Sequence, residues 1–201
     1  MALFLSDVHL GHRLCQAERL LKFLYAQSPQ LLYLVGDILD CASSRRWPEA
    51  HREVLATLLG FPRIIYLPGN HDGFVRALLG WDKPILVRNA VIHCANDGRR
   101  YLVTHGDAYD PTLILCRGPQ WFRRIFGGPV DGLHGKLISN RLPRRLVAEA
   151  AKQGCNGVIC GHTHHPEQKL IDEIEYLNCG DWFRSCTAVI EQNGQMKLVA
   201  G

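Results

Sequence analysis

Ala2-Leu3-Phe4-Leu5-Ser6-Asp7-Val8-His9 opens the chain. Four apolar residues in a row fit a strand buried on both faces, as in a parallel sheet. The run stops at polar residues, with Asp7 and His9 at i, i+2, one side chain skipped between them. The pattern recurs twice. Leu31 to Val35 ends in Gly36-Asp37-Ile38-Leu39-Asp40, and Arg63 to Leu67 ends in Pro68-Gly69-Asn70-His71-Asp72. Between these runs, Cys15 to Ala26 carries Leu20, Leu21, Phe23 and Leu24 at helical spacing, and Trp47 to Leu59 also reads as a helix. Strand, helix, strand, helix, strand predicts a parallel sheet with right-handed crossovers. Sites in such sheets lie beyond the carboxyl ends of the strands. Asp7, His9, Asp37, Asn70 and His71 all fall there. Any one alone reads as a helix cap or a turn residue, but three successive strands ending this way point to a site.

Further along, Val91 to Ala95 and Arg99 to Val103 flank Asn96-Asp97-Gly98, a hairpin signal that brings antiparallel strands to the sheet. The second of them ends at Thr104-His105-Gly106-Asp107. Val147 to Gln153 reads as the end of a helix capped by Gly154. Asn156 to Cys160 is a short buried strand running into Gly161-His162-Thr163-His164. Two histidines at i, i+2 face apart on a helix, but share a side in an extended or tightly turned segment. The runs Gln168 to Ile171, Ile174 to Asn178 and Ser185 to Glu191, with a last one after Asn193-Gly194, predict a β-meander.

With 201 residues, 47% of them hydrophobic and 21% charged, the chain suits one soluble domain, 1–201. No apolar run approaches the ~18–20 residues of a membrane span. The opening residues lack a basic region and a cleavage signal, so a cytoplasmic location is expected. The 8 cysteines include no C-x-x-C pair, which argues for reduced, buried thiols over a structural zinc site. The net charge is +4 and unevenly spread. Residues 111–148 hold Arg117, Arg123, Arg124, Lys136, Arg141, Arg144 and Arg145 against one acid, Asp131. Trp121, Phe122, Ile125 and Phe126 lie among them. The segment reads as a helical lid insertion for a partner with an anionic and a greasy part, or for a membrane surface. Nucleic acid is a weaker partner class, because nothing in the chain resembles a nucleic-acid module.

Asp7, His9, Asp37, Asn70, His105, His162 and His164 together offer two carboxylates, one amide oxygen and four imidazoles. Such a mixed oxygen and nitrogen set suits manganese, iron or zinc. Seven side chains are too many for one tetrahedral ion and suit two ions that share a carboxylate.

In sequence order, D-x-H, G-D-x-x-D, G-N-H-D, H-G-D and G-H-T-H resemble the signature blocks of the calcineurin-like metallophosphoesterase superfamily. The resemblance spans Asp7 to His164 and implies an α/β fold, a four-layer α/β/β/α sandwich. It also implies two divalent metal ions, most readily manganese. Asp7, His9, Asp37 and His164 would hold one, and Asp37, Asn70, His105 and His162 the other. His71 would then stabilise phosphoryl oxygens and protonate the leaving group, with Asp72 orienting its ring.

A narrower stretch, Tyr176-Leu177-Asn178-Cys179-Gly180-Asp181-Trp182, is similar to the UDP-2,3-diacylglucosamine diphosphatase group of lipid A biosynthesis. That group implies cleavage of the pyrophosphate of a UDP-linked diacylated sugar at the inner membrane surface. Arg117, Arg123, Arg124 and Arg141 of the lid would hold phosphates. The best-known branch has arginine where this chain has His71. A soluble nucleotide, phosphodiester or phosphoprotein therefore stays open as the substrate, and a non-catalytic binding module is a third reading.

Overall fold

Alternation along the strands decides which way each side chain faces. The computed structural model describes residues 1–40, 47–78, 80, 84–110 and 131–201, with backbone alone for 131–140. In β1 (Ala2–Leu5), Leu3 and Leu5 join one apolar cluster while Ala2 and Phe4 join another. A strand whose two faces are both buried must have a packed layer on each side.

Four parallel strands run side by side: β1, β2 (Leu31–Leu34), β3 (Ile64–Tyr66) and β4 (Ile85–Val87). β5 (Ala90–Cys94), β6 (Arg100–Thr104), β7 (Gly157–Cys160), β8 (Glu167–Ile171) and β9 (Ile174–Asn178) form a second, five-stranded sheet in the order β5-β6-β7-β9-β8. β10 (Thr187–Gln192) and β11 (Gln195–Ala200) return to the first sheet, where β10 pairs antiparallel with the free edge of β1.

The helices cover the outer faces. α1 (Ala17–Ala26) and α2 (Glu49–Leu59) place Leu20, Leu24, Val54 and Leu58 against Leu3, Leu5, Leu32 and Leu34. Each fully buried leucine here is worth about 1.5–3 kcal/mol. Phe4, Tyr33 and Val35 of the first sheet meet Tyr101, Val103, Ile159 and Leu177 of the second. Leu102, Val158 and Tyr176 point the other way, onto Leu142, Leu146, Val147 and Ala150 of α3 (Asp131–Lys152). The layers are helix, sheet, sheet, helix, as the resemblance implies.

Three local expectations change. The 90–104 hairpin does not extend the first sheet but forms one edge of the second. The C-terminal meander divides between sheets after Asn178, because β1 needs a partner on its second edge and β10 supplies it. β4 was not anticipated; it is three residues long and follows Pro84.

The segment expected to be a lid is described only from residue 131. From there it is one helix as far as Lys152, and Leu142 and Leu146 lie in the outer layer of the sandwich. Arg117, Arg123 and Arg124 lie outside the described residues. Arg141 is exposed. Among the described residues, no helix is long and apolar enough to cross a membrane.

Candidate functional site

The first two strand ends leave the sheet together. Asp7 N–H donates to Gly36 O at 3.0 Å, His9 N–H to Asp37 O at 2.9 Å and Leu10 N–H to Ile38 O at 2.8 Å. This zipper turns the backbone sharply. Asp7, His9, Asp37, His162 and His164 all have positive φ, between 50° and 72°. Side chains other than glycine rarely adopt that region, though Asp and His tolerate it better than most. Strain of this kind persists only where the surroundings hold it in place.

Close packing holds it. A Cβ on Gly69 would strike the Asp37 carboxylate, and one on Gly36 would strike the His105 ring. The Ser6 hydroxyl touches Asp7 Oδ2 and donates to the Val35 carbonyl at 2.8 Å. Val35 O also accepts from His105 Nδ1 at 2.9 Å, which ties the second sheet to the first.

The side chains converge on Asp37. Its Oδ2 lies 3.3 Å from His105 Nε2 and 3.9 Å from His9 Nε2, and its Oδ1 accepts from the His71 backbone N–H at 2.8 Å. Asp7 Oδ1 lies 3.1 Å from His164 Nε2. Donor atoms of Asp7, His9 and His164 come within 4.8 Å of one another, as do those of Asp7, Asp37 and His105, and those of His9, Asp40 and His71.

Asp7 Oδ1, His9 Nε2 and His105 Nε2 are buried with no hydrogen-bond partner. Buried polar atoms are rarely left without partners. Carboxylates and imidazoles gathered in this way, with Asp7 common to two of the groups, fit divalent cations of the borderline class.

Electrostatics agrees. Burial alone would raise Asp7, but the His164 and His105 imidazoles outweigh it and hold the carboxyl below its usual range. Asp37 is likewise lowered against burial, chiefly by His105. Burial pushes His9 down to about 4. His105 is pushed up to about 10, because the Asp37 carboxylate overcomes the opposing effect of burial. Two ionised carboxylates thus face the imidazoles, and a cation held there would compete with the proton on His105.

Asn70 and His71 are exposed on the loop after β3, and the His71 ring lies 4.7 Å from the His9 ring, edge on. Asp72 is fully buried, and its carboxylate accepts from the backbone N–H groups of Ile38 (3.3 Å), Leu39 (3.0 Å) and Gly69 (3.2 Å). It staples the Asp37 loop to the Asn70 loop, a different task from orienting the His71 ring. Asp107 is paired with Arg76 at 2.6 Å.

Three supporting residues escaped sequence reasoning. Asp110 Oδ2 lies 2.8 Å from His162 Nε2. Asn178 donates to Gly161 O at 2.8 Å and Thr163 Oγ1 at 3.0 Å, and accepts from Gly180 N–H at 2.9 Å, so it braces the Gly161–His164 turn. The Phe183 ring packs 5.0 Å from His9 and 5.7 Å from His164. Asn178 and Phe183 lie in or beside the stretch that carries the narrower resemblance, but nothing local signals what they touch.

Comparison with known proteins gives the same picture. UDP-2,3-diacylglucosamine hydrolase of Stenotrophomonas maltophilia is 25% identical over 251 residues, covering 99% of this chain and 95% of that protein. The enzyme of the same name from Xanthomonas campestris pv. campestris is 25% identical over 230 residues, covering 94% and 89%. Among solved structures, Vacuolar Protein Sorting 29 from Cryptosporidium parvum has a TM-score of 0.56 at 12% identity, over 98% of this chain and 94% of that one. The E. coli phosphoesterase Yfce has a TM-score of 0.54 at 19% identity, over 99% and 98%. At such identities these two establish the shared fold alone. The calcineurin-like phosphoesterase family matches residues 2–166, from β1 through the Gly161–His164 turn and so across every candidate ligand. The chain belongs to that family of metal-dependent phosphoester hydrolases.

Proposed function

We propose that the chain hydrolyses the pyrophosphate of UDP-2,3-diacylglucosamine, giving UMP and 2,3-diacylglucosamine 1-phosphate, with two divalent cations, manganese in preference to iron or zinc. The observation that carries the metal chemistry is the convergence of buried Asp7, His9 and His105 donor atoms around Asp37. In this reading Asp7, His9, Asp37 and His164 hold one cation, Asp37, Asn70, His105 and His162 the other.

When bound, the cations would supply Lewis-acid charge to lower the pKa of a water and to stabilise oxygens at phosphorus. The chain's own residues do the rest. His71 stands exposed at the rim beside His9, where its ring can donate a proton to the leaving oxygen. Asp72 holds the His71 loop against the Asp37 loop, so the acid and the cations keep a common frame. Arg117, Arg123, Arg124 and Arg141 bind the substrate phosphates, and Trp121 and Phe122 cover acyl chains at the inner membrane surface. This substrate is supported by the names of the relatives at 25% identity and by the basic, aromatic composition of residues 111–148.

Purified protein loaded with manganese should release UMP from the lipid-linked substrate, and Asp37→Ala should abolish the release. Absence of UMP from fully metallated protein would sink the reading. The Gly-Asn-His-Asp form of the block that contains His71 favours a second reading, a soluble phosphodiester substrate. Under it, activity survives deletion of Leu113–Phe126 and is indifferent to lipid.

A further inference from the structure

Asp110 is 1% exposed, and its carboxylate meets Nε2 of the His162 ring at 2.8 Å. A carboxylate can only accept, so Nε2 of His162 carries the proton and Nδ1 keeps the lone pair. His105 is arranged the opposite way. Its Nδ1–H is donated to Val35 O, and its Nε2 is the nitrogen that faces the Asp37 carboxylate, at 3.3 Å. The two rings lie 5.3 Å apart at 71°. One imidazole therefore offers Nε2 and its neighbour Nδ1, each set by an acceptor behind it.

From this the structure assigns Asp110 as the positioning residue that selects Nδ1 of His162 as a metal-binding atom. The inference rests on the two-cation reading of the site. Without that acceptor, His162 can take the other tautomer, which aims an N–H at the cation.

Asp110 is itself held firmly. It closes the short turn Asp107–Tyr109, with its N–H donated to Asp107 O at 3.2 Å. Asp107 is anchored by Arg76, and Tyr109 O accepts from Arg145 of α3 at 3.3 Å. Arg76 and α3 thus brace the turn that carries the carboxylate facing His162. Asp110 is also the residue from which the chain enters the arginine-rich segment. Outer partners of ligating histidines typically change metal affinity 10–100-fold.

The first measurement uses unaltered protein. In metal-free, ¹⁵N-labelled chain, a long-range ¹H–¹⁵N correlation spectrum should show His162 as the Nε2–H tautomer. The Nδ1–H form overturns the assignment. The second is calorimetric titration of metal-free protein with Mn²⁺. Asp110→Ala should weaken one of the two binding events about 10–100-fold and leave the other near its original affinity. Asp110→Asn, whose amide oxygen still accepts from Nε2–H, should recover part of the loss. A bystander carboxylate would leave both events unchanged in both variants, which overturns the proposal. If Asp110→Ala does not fold, the tautomer spectrum and Asp110→Asn decide. Failure of the unaltered chain to bind a second cation overturns the two-cation reading together with this inference. Two bound cations with an Nδ1–H His162 overturn this inference alone.

Discussion

The backbone N–H of His162 donates to Asp7 Oδ2 at 2.9 Å, across 155 residues of chain. One carboxylate therefore serves two ends of the site. Its Oδ2 is taken up by the His162 backbone N–H and Ser6, and Oδ1 is turned toward the rings of His9 and His164. The two sheets are joined at this bond, and it requires Gly161.

Gly161→Ala tests that closeness. A Cβ at this position lands on the Ser6 side chain and on Asp7 Oδ2. Moving either opens the junction between the sheets. Overpacking of this kind costs about 1–3 kcal/mol. Thermal unfolding should show that loss, and calorimetry should show weaker Mn²⁺ binding. A variant with unchanged melting temperature and metal affinity would show that the contact gives way without consequence.

His71→Asn separates acid catalysis from metal binding. Metal content should stay at the unaltered level. Turnover of a phosphodiester with a poor leaving group should fall about 10²–10⁴-fold. A nitrophenyl ester, whose leaving group needs no proton, should fall much less. Equal losses on both esters would remove His71 from the role of general acid.

Asn178→Ala should act through the Gly161–His164 turn. Three of its bonds are lost at once, and the Gly161 carbonyl, Thr163 hydroxyl and Gly180 N–H lose a partner. Groups left unsatisfied in the interior cost about 1–3 kcal/mol each. Denaturant unfolding should report the destabilisation, and the affinity for Mn²⁺ should drop with it. An unaltered affinity would show that the turn keeps its shape without this brace.

His51 gives a pH dependence with a definite sign. It is buried on α2, and its Nδ1 accepts from Gly11 N–H at 2.9 Å, two residues beyond His9. Burial lowers its folded-state pKa below the ordinary imidazole value. The neutral ring is therefore favoured by folding. The stability it contributes is complete above pH ~6.5, the unfolded value, and is lost as pH falls below it. Unfolding free energies of the unaltered chain and of His51→Gln should converge between pH 7.5 and pH 5.5. A constant gap across that range would refute the linkage.

Much of the site was readable from local pattern. Apolar runs broken by Asp, His and Asn mark strand ends, and strand ends in a parallel arrangement share one edge. Asp7, His9, Asp37 and His105 needed nothing more to be grouped, and the structure brings their side chains together. Asp72 shows where such reading stops. Its neighbour in sequence is His71, but its carboxylate belongs to Ile38, Leu39 and Gly69. Asp110 and Phe183 carry no local mark at all, since their partners His162 and His9 are far away in the chain.

The parallel β1–β3 core and the family were legible in the residues alone, because apolar period and strand-end chemistry are local properties. Which edge of β1 receives β10, and how the C-terminal strands divide between two sheets, became visible in the packed chain. Nor does local sequence say which ring nitrogen of His105 meets Val35 O or which of His162 meets Asp110. Those outcomes depend on which distant backbone or carboxylate fills each remaining hydrogen-bonding position, and a buried polar group takes whichever partner the packed layers bring within reach.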